Sequence, residues 1–224
     1  MTPDQASNRP KSGDLTYDNP QIRAFQDKLR VDYDTANQTA KKGQIVFVGS
    51  SLMEIFPIEK WEEAGDVTFD PYIYNRGVRA TTTTDLLAHL DTQVFDLAPT
   101  KVFINIGSND IGLKVPEETF LGNYETILKV IREKIPACAI YVMAYYPVGA
   151  AETFDGRTTQ DMNAASSKVE ALVKRLNDVN TRFINVNANL EDPDGNLKAV
   201  LTFDGAHMNP DGYKVVLENL KEYL

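Results

Sequence analysis

Ser51 stands at the exit of an apolar run, in Gly49-Ser50-Ser51-Leu52. A serine at a sharp strand-to-helix turn has the exposure a nucleophile needs, and its own N–H lies near a helix N-terminus, where developing negative charge is favoured. The same place also suits a simple helix cap, the ordinary reading of an isolated serine there. An imidazole to take its proton can come only from His89 or His207. His207 follows Asp204 by three residues in Asp204-Gly205-Ala206-His207, so the carboxylate can accept from Nδ1–H and leave Nε2 as the base. Taken singly, Asp204 reads as a turn residue and His207 as a surface residue opening the last helix. His89 lies mid-pattern in Leu86-Leu87-Ala88-His89-Leu90, where a solvent-facing or partly satisfied side chain is the ordinary reading. Two residues offer donors to an oxyanion: Gly77, whose N–H no side chain obstructs, and Asn109 through its amide. Their ordinary readings are a turn glycine and a turn or N-cap pair, Asn109-Asp110. Nucleophile, base, orienting carboxylate and donors together are the parts of acyl transfer.

Other chemistries have less to work with. Two histidines and the single Cys138 exclude multi-histidine and thiolate zinc sites, and one cysteine makes no internal disulfide. Neither Gly-x-Gly-x-x-Gly nor Gly-x-x-x-x-Gly-Lys-Ser/Thr occurs, which disfavours a nucleotide site. The net charge is −9, and residues beyond 43 carry −10 of it against +1 before. Such a surface repels phosphate backbones, so nucleic acid and anionic membrane are expected not to be partners, and neutral esters are the easier substrates. No basic segment followed by an apolar run opens the chain and no 18 consecutive residues are apolar, so a cytoplasmic location is expected.

The elements that must position these residues alternate. Apolar runs at 44–49, 72–75, 101–107, 139–145 and 182–186 read as strands buried on both faces. Helical periodicity occupies 85–97, 117–135, 160–179 and the segment after Pro210. Strand and helix alternating five times predicts a parallel sheet wrapped on both sides, with ligands at the carboxyl ends of the strands. Ser51, Gly77 and Asn109 lie at three such ends. Residues 1–43 read as a polar arm, through about residue 20, followed by a helix over 21–40. That helix is expected to pack through Ile22, Phe25, Leu29 and Tyr33 on the domain that follows, which is expected to span residues 44–224 and to carry the candidate catalytic residues. The long connection 145–162 is expected to shape the pocket, with Tyr146, Phe154 and Arg157 equally readable as loop anchors.

The ordered set Gly49-Ser50-Ser51, Gly77, Gly107-Ser108-Asn109-Asp110 and Asp204-Gly205-Ala206-His207 resembles the four blocks of the SGNH hydrolases, also called GDSL lipases/acylhydrolases. The resemblance is to small bacterial esterases akin to platelet-activating-factor acetylhydrolase subunits. It implies a flavodoxin-like three-layer α/β/α sandwich with a five-stranded parallel sheet of order 2-1-3-4-5. It further implies Ser51 as nucleophile, His207 as general base then acid, and Asp204 as its orienting partner. Ser51 N–H, Gly77 N–H and the Asn109 amide would form the oxyanion hole. The implied activity is hydrolysis of short-chain, acetyl-type carboxylic esters of carbohydrates or small molecules through an acyl-enzyme, with no cofactor and no metal. A homodimer is plausible by analogy. The alternatives are a flavodoxin-like mononucleotide binder and a catalytically silent carbohydrate-binding relative. One departure is Ser50, where the family carries aspartate; its hydroxyl is expected to replace some of the carboxylate's hydrogen bonds but not its charge.

Overall fold

The computed structural model describes residues 19–150 and 157–224. All but the end of the expected polar arm, and Phe154, therefore lie outside the described residues. Five parallel strands, β1 Ile45–Gly49, β2 Ile73–Asn75, β3 Lys101–Asn105, β4 Ala139–Met143 and β5 Thr181–Ile184, form one sheet in the order β2-β1-β3-β4-β5. The register pairs Gly49 with Asn105 and Phe47 with Asn75, so the exits of the three strands that carry the chemistry lie side by side.

The strands lack clean polar alternation because both faces are covered. Val46, Val48, Val102, Ile104, Ile140 and Val142 point to one side. There they meet α4 (Thr83–Ala88), α7 (Glu117–Lys134) and α8 (Thr159–Leu176) through Leu86, Ile127, Ile131, Val169 and Leu172. Ile45, Phe47, Phe103 and Met143 point to the other. That side is covered by α2 (Ser51–Glu54), α3 (Ile58–Glu63) and α9 (Pro210–Leu220) through Met53, Ile58, Tyr213 and Val216. The result is the three-layer, flavodoxin-like sandwich. No helix among the described residues is long and apolar enough to cross a membrane.

Two helices depart from their sequence patterns. The segment expected as one helix over 85–97 divides into α4, α5 (Leu90–Gln93) and a 3₁₀ turn at Phe95–Leu97. His89 breaks it: its Nδ1 lies 2.7 Å from the Asp85 carbonyl, the acceptor its own N–H would use in a continuing helix, and the N–H bonds Leu86 O instead. The second departure is α1 (Pro20–Asn37), whose fully buried residues are polar: Gln26, Arg30 and Asn37. Ile22 and Leu29 are only half-buried and Phe25 is exposed. The inward stripe meets the backbone of the chain after β2, which offers carbonyls to hydrogen-bond and little apolar surface. Between β3 and α7 lies α6 (Ser108–Gly112).

Candidate active site

The turn after β1 is forced by close approach. A Cβ on Gly49 would fall 2.0 Å from Asn105 O, so only glycine lets β1 and β3 end in contact. Ser50 follows with φ −92° and ψ −150°, and Ser51 opens α2. Its N–H, in the first turn, pairs with no acceptor among the described residues. The expected substitute bonds from Ser50 are not made: its Oγ is fully buried and lacks a partner among the described residues.

The imidazole arrives from a hairpin-like turn before α9. Thr202 and Met208 form an antiparallel bridge, Thr202 Oγ1 donates to His207 O (2.7 Å), and Gly205 adopts φ +87° at the reversal. Asp204 Oδ1 accepts from the backbone N–H of His207 (2.7 Å) and of Ala206 (3.0 Å). That leaves Oδ2 for the ring: His207 Nδ1 lies 2.7 Å from it, and His207 Nε2 lies 2.9 Å from Ser51 Oγ. Burial pushes the Asp204 carboxyl upward, but the His207 ring and the two backbone N–H groups outweigh it and hold the group below the usual carboxylate range. The structure thus brings Ser51, His207 and Asp204 into one chain of hydrogen bonds. His89 lies between α4 and α5, with its Nδ1 on Asp85 O, and is not part of that chain.

Asn109 sits in the first turn of α6 after Gly107, whose φ of +114° and contact with Tyr145 Oη (2.3 Å from an added Cβ) require glycine. Its Nδ2 donates to Thr81 O at 2.8 Å, tying α6 to the loop after β2. The neighbouring Asp110 is buried and accepts from Thr83 N–H and Oγ1; burial raises its pKa to about 6 against those bonds. Arg157 Nη1 donates to Ser108 O, which braces the same turn. Tyr146 is buried and packs in the core on the face covered by α2, α3 and α9.

Gly77 requires correction as an oxyanion donor. Its N–H donates to Asn75 Oδ1 (2.9 Å) and its carbonyl accepts from Tyr33 Oη (2.7 Å). A Cβ there would fall 2.2 Å from Glu54 N, so glycine serves the passage of this loop against α2. Three residues on, in the same loop, stands Ala80. Ala80 has φ +57°, and its N–H pairs with no acceptor among the described residues. It is bracketed by the site: Arg79 N–H and guanidinium bind Glu54 of α2, while Thr81 O receives Asn109. Nothing in the residue type announces a left-handed alanine. The available signal is the capping box Thr82-x-x-Asp85, which starts α4 so soon that residues 77–81 must turn tightly.

Residues 47–215 match the model of the GDSL-like Lipase/Acylhydrolase family. The chain is 23% identical over 191 residues to platelet-activating factor acetylhydrolase IB subunit alpha2 of Rattus norvegicus, covering 82% of this chain and 77% of that one. It is 27% identical over 185 residues to N-acylneuraminate cytidylyltransferase of Escherichia coli, covering 82% of this chain but spanning only 40% of that relative's length. A Streptococcus pneumonia structure assigned as a platelet activating factor superposes with a TM-score of 0.81 at 28% identity, covering 91% of this chain and 94% of that one.

Proposed function

The chain belongs to the GDSL-like lipase/acylhydrolase family and is a carboxylic ester hydrolase, and on that premise we propose that it is a serine esterase acting on short acyl, chiefly acetyl, esters of small molecules or carbohydrates. The observation that carries this reading is the run of contacts from Ser51 Oγ to His207 Nε2 (2.9 Å) and from His207 Nδ1 to Asp204 Oδ2 (2.7 Å). Ser51 Oγ attacks the acyl carbonyl as its proton passes to His207 Nε2, forming the Oγ–C bond and placing the carbonyl pair on oxygen. Ser51 N–H, the Asn109 amide and Ala80 N–H receive that oxyanion. Collapse expels the alkoxide, which takes the proton from His207, and leaves the acyl on Ser51. Water then loses a proton to His207, adds to the acyl carbon, and the second collapse returns the proton to Ser51 Oγ and releases the carboxylic acid.

Asp204 contributes twice. Its Oδ2 fixes the tautomer with the proton on Nδ1, and its charge faces the imidazolium that forms during attack. The acetyl preference is supported by the name of the acetylhydrolase relative, and neutral substrates by the net charge of −9.

Hydrolysis of p-nitrophenyl acetate by the wild type and by Ser51→Ala tests the mechanism. The variant is expected to lose about 10³-fold or more in kcat. Equal rates would remove Ser51 as nucleophile. A p-nitrophenyl ester series from acetyl to octanoyl tests the acyl preference, and faster turnover of the long chains would overturn it.

A further inference from the structure

A backbone donor stabilises an oxyanion only as well as its peptide plane is held. The Ala80 N–H belongs to the same planar unit as the Arg79 carbonyl, so whatever grips that carbonyl aims the N–H in the opposite direction. The grip comes from α1: Gln26 Nε2 donates to Arg79 O at 2.8 Å. Gln26 is 4% exposed and lies before residue 47, where the family match begins. We propose that Gln26 is a positioning residue of the oxyanion hole, holding the 79–80 peptide so that Ala80 N–H faces the acyl oxygen; this rests on the serine-esterase reading above.

Three observations give the contact this meaning. Ala80 is in the left-handed region, φ +57°, which L side chains resist. Rotation of the 79–80 peptide is the movement that would relieve it, carrying the N–H away from the site. The Gln26 bond opposes that rotation directly. Second, the rest of Arg79 is fixed from both sides, by Glu54 on its N–H and guanidinium and by the Phe25 ring 4.5 Å from its Cζ. The carbonyl is the remaining group that sets the plane. Third, the carbonyl points to α1, so a trans peptide directs the Ala80 N–H away from α1. A glutamine buried on a helix whose neighbouring apolar residues stay partly exposed is thereby accounted for.

The test uses the full chain. Gln26→Met keeps the length and removes the donor, Gln26→His returns an N–H of similar reach, and Tyr33→Phe loosens α1 from Gly77 O without touching the 79–80 peptide. Each is assayed for kcat and KM on p-nitrophenyl acetate, for Tm, and for affinity to a trifluoromethyl ketone, to which Ser51 Oγ adds to give a tetrahedral oxyanion. Gln26→Met is expected to lower kcat about 10-fold, less than the 10²–10³ of deleting a donor outright. Its KM should stay within about two-fold and ketone affinity should fall by the same factor as kcat, with recovery in Gln26→His. A purely structural Gln26 would lower Tm in Gln26→Met and Tyr33→Phe alike and leave kcat and ketone affinity unmoved; that result overturns the proposal. If Gln26→Met does not fold, Gln26→Asn, whose amide falls one methylene short, gives the same reading. Activity surviving in Ser51→Ala would sink the esterase mechanism itself, whereas an inactive Ser51→Ala beside a fully active Gln26→Met would sink only the role of Gln26.

Discussion

Replacing Asp204 by Asn keeps the size of the side chain and the Oδ1 that accepts from His207 N–H and Ala206 N–H, so the turn should survive. What changes is the group facing the ring. An NH₂ opposite Nδ1 needs a lone pair there, which selects the tautomer with the proton on Nε2 and leaves no base toward Ser51. The second loss is electrostatic and arises only once the imidazolium forms, so it falls on kcat. At the observed 2.7 Å, Coulomb attraction is about 6 kcal/mol for an effective dielectric of about 20 and about 1.5 kcal/mol in water-like surroundings. The Asp204 side chain is 39% exposed, which places the site between those limits, near 4 kcal/mol on the order-of-magnitude scale, or about 10³-fold in rate. Steady-state hydrolysis of p-nitrophenyl acetate is expected to show that loss in kcat with KM within about two-fold, and thermal unfolding should show a near-wild-type Tm. The variant should remain more active than Ser51→Ala, because the oxyanion donors and the nucleophile persist. A kcat within about three-fold of wild type at unchanged Tm would refute both the tautomer and the counter-charge arguments.

Two further outcomes concern stability. Asp110 is raised from 3.8 to about 6 by burial, so the folded state binds more protons than the unfolded between those values, and this group's contribution is present below pH ~4 and lost as pH rises through ~6. The shift corresponds to roughly 3 kcal/mol; in urea titrations across that range, wild type minus Asp110→Asn should decline with pH, and a flat or rising difference would contradict the burial argument. Ser50→Ala removes a buried hydroxyl that has no partner among the described residues, and relief of about 1 kcal/mol should raise Tm by about 2–4 °C. A fall in Tm would mean that the hydroxyl is satisfied in solution.

The residues of the proposed triad, and Asn109 beside them, were legible as a set: Ser51 and Asn109 follow strands that pair in parallel and Asp204 and His207 share one turn, but each taken singly had an ordinary reading, and it was the resemblance of the ordered blocks that implied their roles. The conformation of Ala80 was not legible, because a positive φ at alanine comes from constraints at both ends of a loop: Glu54 on one side and Asn109 on the other. Gly77 misled for the complementary reason. Its residue type was compatible with an open N–H, but the missing side chain is used against α2 and the N–H is taken by Asn75.

The helix α1 shows where periodicity stops being informative. A search for apolar recurrence selects Ile22, Phe25, Leu29 and Tyr33, yet the residues turned inward are Gln26, Arg30, Tyr33 and Asn37, at the same helical spacing but rotated around the axis. Apolar periodicity finds a helix packed on a sheet, because a sheet face offers hydrocarbon. It cannot find a helix packed on a loop, where the loop's carbonyls need donors: Gln26 serves Arg79 O and Tyr33 serves Gly77 O, while Asn37 reaches Thr92 O within α5. A polar stripe at intervals of three and four on an otherwise amphipathic helix is therefore a signal in its own right. It marks a helix whose partner is irregular backbone, here the backbone after β2 that carries the proposed Ala80 donor.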